Sequence, residues 1–223
     1  MDPTQNQPGR PSVAPVWHTG LVLAMLAGLS VLSSYLQIGS DACRLNHLEI
    51  YLIVIGFDWC IFAVVLWGSN GAFVAYVARA AHDPRSLLVD IPVAALVAVV
   101  LVGIGPLLFR LLGPSGWVSL AGMLPTNRME IALWIVMAIS AGISEETVFR
   151  GYLQQQFSGW TAHVSIGIWG QAVVFGLAHG YQGWKNMTAL LAWGCILGAS
   201  ATLRKGLRSN MMAHAAVDIL GAF

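Results

Sequence analysis

Three short patterns in the last third of the chain carry most of its candidate chemistry: Glu145-Glu146-x-x-x-Arg150, Phe175-x-x-x-His179 and His214-x-x-x-Asp218. Residues four apart on a helix differ in direction by about 40°, so each pattern sets its members on one face. Glu146 therefore faces Arg150 with the acid before the base, the favoured order, and reads as a structural or orienting residue. Glu145 points about 100° away, without that cation. A carboxylate withdrawn from water and left unpaired is suited to take a proton, which is the work of a general base. Taken singly, His179 is a helix-end histidine and His214 a satisfied polar residue of a bundle. Their occurrence together with Glu145 argues for a site.

The elements that must position these residues are helices in a membrane. Hydrophobic residues make up 57% of the 223 and charged ones 9%, whereas an average soluble domain is about a quarter charged. The mean hydropathy is +0.71. Apolar stretches of about 18 or more residues recur, long enough to cross a hydrocarbon core of roughly 30 Å. The expected fold class is an all-α, polytopic transmembrane bundle of about seven spans. Hydropathy places them at Trp17–Ile38, Ile50–Trp67, Leu88–Leu108, Glu130–Phe157, His163–His179, Met187–Leu203 and Met211–Phe223. Gly71–Ala81 reads as an interfacial helix or a continuation of the second span.

Residues 1–16, rich in Pro, Gln and Asn, read as a disordered tail, residues 17–128 as N-terminal transmembrane helices and residues 129–223 as the core with the chemistry. Eleven basic against ten acidic residues exclude the broad basic footprint of a nucleic-acid binder, so membrane lipids are the implied partner. Cys43, Cys60 and Cys195 are too scattered for a disulfide framework or a thiolate zinc site. With the tail in the cytoplasm, Arg10, Arg79, Arg85, Arg150, Arg204, Lys205 and Arg208 fall on its side, against Arg44, Arg110, Arg128 and Lys185 opposite. That bias favours a cytoplasmic N-terminus.

An ionisable group inside a span costs at least about 2.5–3.5 kcal/mol, so several near one another need a reason. A turn at Ser158–Trp160 would make the fourth and fifth spans an antiparallel hairpin. Counted from Gly159, Glu145 lies 14 residues back and His179 lies 20 forward, a depth mismatch of roughly 9 Å. His214 follows closely on the Arg204–Arg208 loop and must sit in a recessed or tilted helix to reach the others.

The three motifs, in this order on late transmembrane helices, resemble the signature of the CPBP family, the CAAX proteases and bacteriocin-processing enzymes also called Abi proteins. The resemblance covers roughly residues 129–223. It implies an intramembrane endopeptidase in which Glu145 and His179 activate a water that attacks a peptide carbonyl, while Glu146 and Arg150 orient the site. It further implies that His214 and residue 218 stabilise the oxyanion. Here residue 218 is Asp218, where the best-described eukaryotic members carry Asn, and an ionised carboxylate cannot donate a hydrogen bond. Asp218 could instead accept from His214 and fix its tautomer. The substrate implied is a peptide or lipidated protein, and the compact form points to a bacterial plasma (inner) membrane.

Other readings stay open on the sequence. Glu145, His179 and His214 form a two-His-one-Glu set that could hold Zn²⁺, although no H-E-x-x-H is present. Glu146 and Arg150 could be a buried ion pair that fixes helix register. An ion-coupled transporter could use Glu145, Glu146, Asp58 and the histidines as a relay, although no repeat supports it. A catalytically silent Abi-like immunity or membrane-binding protein would need none of them, and a b-type haem could use the two histidines as axial ligands. Asp58 in the second span has no visible partner. Gln171 is expected to bond between helices, Phe175 to pack as core, and Trp17, Trp67 and Trp160 to lie in an aromatic belt.

Overall fold

A computed structural model describes residues 12–36, 38, 43–82, 87–113 and 122–223, without the side chains of residues 79–82 and 109. Helices form where the apolar runs lie and begin where the sequence offers caps. Asn46 opens α2 (His47–Gly68) with a reciprocal cap, its side chain accepting from the Glu49 N–H while the Glu49 carboxylate accepts from the Asn46 N–H. Asn127 opens α5 (Arg128–Glu145) by accepting from the N–H groups of Met129 and Glu130. The remaining helices are α1 (Val16–Tyr35), α3 (Gly71–His82), α4 (Leu87–Leu112), α6 (Gln154–Thr161), α7 (Val164–Ala178), α8 (Trp184–Arg204) and α9 (Arg208–Leu220). Among the described residues there is no strand.

Among the described residues five helices are long and apolar enough to cross a membrane: α1, α2, α4, the unbroken Arg128–Thr161 rod and α8. Seven full spans are not confirmed. The 15-residue α7 and the 13-residue α9 fall short of the roughly 20 residues a crossing needs. Gly71–His82 is a separate helix, set off from α2 by Ser69 and Asn70. The sides of α4 that meet no protein carry Leu96, Val99 and Leu111, all largely exposed, as a lipid-facing surface requires.

The Arg128–Thr161 rod is the most enclosed of the five and forms the axis of the bundle. Small residues let its neighbours approach. A Cβ on Gly142 would lie 2.8 Å from the Met211 carbonyl oxygen and 3.1 Å from the Ala215 nitrogen, so only glycine lets α9 lie against α5 at this height. Glutamines tie the packed helices where lipid offers no water. Gln171 donates to the Gly194 carbonyl at 2.7 Å, the interhelical bond expected of it. Gln154 donates to Gly198 and Thr202 on α8.

Of the tail expected as disordered over residues 1–16, residues 1–11 lie outside the described residues, but Val13 and Ala14 are buried. Their N–H groups donate to the Gln156 side-chain oxygen at 2.7 and 3.1 Å, and the Gln156 amide donates back to the Ala14 carbonyl. At the facing ends of α8 and α9, Arg204 and Arg208 reach Asp90 in the first turn of α4 at 2.6 and 2.7 Å. All three cysteines are unpaired.

Candidate active site

At Glu146 the α5 backbone loosens into a π-helical segment, Glu146–Leu153, before resuming as α6. Such segments are rare and concentrate at functional sites, because one extra residue per turn re-aims the side chains that follow. The four-apart pair survives within it. The Arg150 guanidinium donates to Glu146 Oε1 at 2.8 Å, both side chains fully buried. The same oxygen accepts from His214 Nδ1 at 2.9 Å. Asn210, one turn before His214, donates to Glu146 Oε2 at 3.3 Å and to the Leu197 carbonyl at 2.7 Å. Glu146 thus gathers Arg150, His214 and Asn210 around one carboxylate. Sequence reasoning passed over Asn210, whose only signal was its position one turn from His214 on the same face.

Glu145, one residue earlier, points elsewhere. Its Oε2 lies 3.7 Å from His214 Nε2, an ion-pair separation, and takes no hydrogen bond. Asp218 Oδ2 lies 3.5 Å from the same nitrogen. The tautomer of His214 is therefore set by Glu146 at Nδ1, the shorter contact, rather than by Asp218 as the sequence allowed.

His179 arrives from α7. The turn between α6 and α7 falls at Ala162, which adopts the left-handed conformation at φ 59°, and not at Ser158–Trp160. Counted from Ala162, Glu145 stands 17 residues back and His179 stands 17 forward, so the expected depth mismatch disappears. His179 is the C-cap of α7 rather than an interior residue. Its Nδ1–H donates to the Phe175 carbonyl at 2.8 Å, which leaves Nε2 as a free lone pair. Phe175 does more than fill the core. Its ring lies 4.8 Å from His179 and 4.3 Å under the Arg150 guanidinium, so one aromatic face positions both.

A cavity of about 80 Å³ opens between α1, α2, α5 and the α7 end, lined by Asp58, Ser144, Glu145, His179 and Tyr181 among apolar side chains. Ser144 donates to the Asp58 carbonyl at 2.6 Å and fixes α2 against α5 beside Glu145. Tyr181, in the short Gly180–Gln182 turn, stacks against His179 and accepts from the Gln182 amide. Burial pushes its phenol up to about 12, so it is a neutral O–H donor at ordinary pH. Nothing in the sequence pointed to Tyr181, and Asp58 stood out only as an intramembrane acid without a partner, since each meets the site from a different helix or turn.

Residues 127–220 match the family described as type II CAAX prenyl endopeptidase Rce1-like. The match runs from the Asn127 cap of α5 to the end of α9 and takes in all three motifs. It agrees with the resemblance carried by those motifs, and the segment is similar to CAAX prenyl endopeptidases. The helices α1 to α4 lie outside it, although α1 and α2 supply the opposite walls of the cavity. No curated protein and no solved structure matches the chain.

Among the described residues no three His, Cys, Asp or Glu side chains are placed to hold one metal ion together. His214 is turned toward Glu146 through Nδ1, and His179 lines the cavity beside Glu145.

Proposed function

We propose that the chain is an intramembrane endopeptidase of the CAAX prenyl protease type that hydrolyses a peptide bond with a water activated by Glu145. The observation that carries the reading is the shared cavity: an unbonded Glu145 carboxylate oxygen and the His179 side chain, with its free Nε2, line one small space inside the bundle. Glu145 takes a proton from the water as the water oxygen bonds to the carbonyl carbon, and the His179 Nε2 lone pair is the acceptor for the proton left on that oxygen when the carboxylic acid product ionises. Glu146 holds His214 so that Nε2 faces the space between Glu145 and Asp218. The donors available for the oxyanion are the Tyr181 O–H and, with His214 as the imidazolium that its three carboxylate neighbours favour, the His214 Nε2–H, since Asp218 as a carboxylate can only accept. Arg150 acts through Glu146 and serves as a positioning residue.

The substrate class is a peptide or lipidated protein presented from the membrane, and the location proposed is a bacterial plasma membrane. No step passes through a metal. Purified protein in detergent should cleave an internally quenched peptide, prenylated or plain, while Glu145→Ala and His179→Ala are both inactive. Turnover retained in both variants would end the proposal. Cleavage should persist in chelator; a loss reversed by Zn²⁺ with the fold intact would replace the metal-free account.

A further inference from the structure

Asp58 sits in the middle of α2, a span otherwise without charge after its first turn. It is 4% exposed, and its Oδ2 has no hydrogen-bond partner. Such an acid carries a penalty that a bundle keeps only for a reason. The groups that act on it electrostatically are Glu145 on α5, then His214 and Asp218 on α9. No Lys or Arg lines its cavity, and Arg150 is taken by Glu146.

Asp58 and Glu145 therefore line one cavity, each with a carboxyl oxygen that has no hydrogen-bond partner, and the Tyr181 O–H in the same lining bonds to neither. The polar side chains beside them are largely committed: Ser144 donates to the Asp58 carbonyl and the His179 Nδ1–H to Phe175. A cavity of about 80 Å³ exceeds the roughly 10–15 Å³ one water needs. Water carries two O–H donors, one for each orphaned acceptor. We propose that Asp58 holds the hydrolytic water together with Glu145, so that the water site is built by two carboxyl groups from α2 and α5.

This assignment rests on the peptidase reading and extends it beyond residues 127–220 to a helix the family match does not cover. In the step served, one water proton passes to Glu145 as the water oxygen bonds to the carbonyl carbon and the carbonyl pair moves onto its oxygen. The other O–H remains on Asp58 and fixes the direction of attack. The pair then returns, the C–N bond breaks, and the proton on Glu145 passes to the departing nitrogen.

Asp58→Asn tests the assignment, because it keeps the volume and places donors where an acceptor stood. On a quenched peptide, kcat should fall about 10²-fold from loss of the aligned water, with KM unchanged and the melting temperature equal to or above that of the wild type. The double variant Asp58→Asn/Glu145→Gln should be no slower than Glu145→Gln alone, since both act on the same water. An unchanged kcat, a joint fall of kcat and melting temperature, or multiplicative loss in the double variant would overturn it and leave the peptidase reading standing. A wild-type chain without peptidase activity would remove both.

Discussion

Glu146, fully buried, accepts from Arg150, His214 and Asn210, so its charge is met on three sides. Removing one partner leaves a buried, uncompensated charge, which costs about 3–5 kcal/mol. Arg150→Met should accordingly lower the melting temperature sharply in detergent, whereas Asp218→Asn should not. Asp218 Oδ2 stands 3.5 Å from His214 Nε2 with its side chain one-third exposed, so the interaction is weak and Asn adds a donor. Asp218→Asn should keep kcat/KM within a few-fold of wild type on the same peptide; a loss comparable to that of Glu145→Ala would assign the carboxylate an indispensable role. The four-apart pairs were legible because they follow from helix period alone. Asn210 and Tyr181 were not, and Asp58 was visible only as an acid without a partner, because they acquire meaning only from neighbours on other elements.

Two elements determine whether the groups meet. The π-helical segment starts at the residue after Glu145 and re-aims everything to Leu153, so that Glu146 and Arg150 stay paired while Glu145 turns to the cavity. Its sequence reads as ordinary helix, since the patterns that identify helices do not distinguish an added residue in one turn. The second element is α9, whose approach looked geometrically weakest from the sequence. It reaches Glu146 because Gly142 lets it pack against the α5 backbone. Gly142→Val should force the two helices apart, lowering stability by about 1–3 kcal/mol. Turnover should fall by roughly 10²-fold as His214 leaves Glu146. Thermal melting and peptide cleavage measured on the same preparation check both effects, and a variant with wild-type turnover would show that the close approach is dispensable.

At the scale of the molecule, the bundle inverts the soluble pattern: its polar groups converge inside and its large apolar residues face outward. The all-helical class and the membrane location were legible in composition. The number of spans was not, because α7 is apolar but only 15 residues long, and α9 is short and carries Arg208, Asn210, His214 and Asp218. Val99, in α4, is 70% exposed and faces the lipid. Val99→Lys should add at least about 2.5–3.5 kcal/mol to insertion and reduce the membrane-integrated fraction in cells. Wild-type integration of that variant would argue that this face of α4 meets something other than lipid. The central claim is that Glu145 is the base that activates water, and its most direct test is kcat/KM for Glu145→Gln beside wild type on one quenched peptide. A loss of at least about 10²-fold with an unchanged or raised melting temperature is predicted, and turnover within a few-fold of wild type would contradict the account.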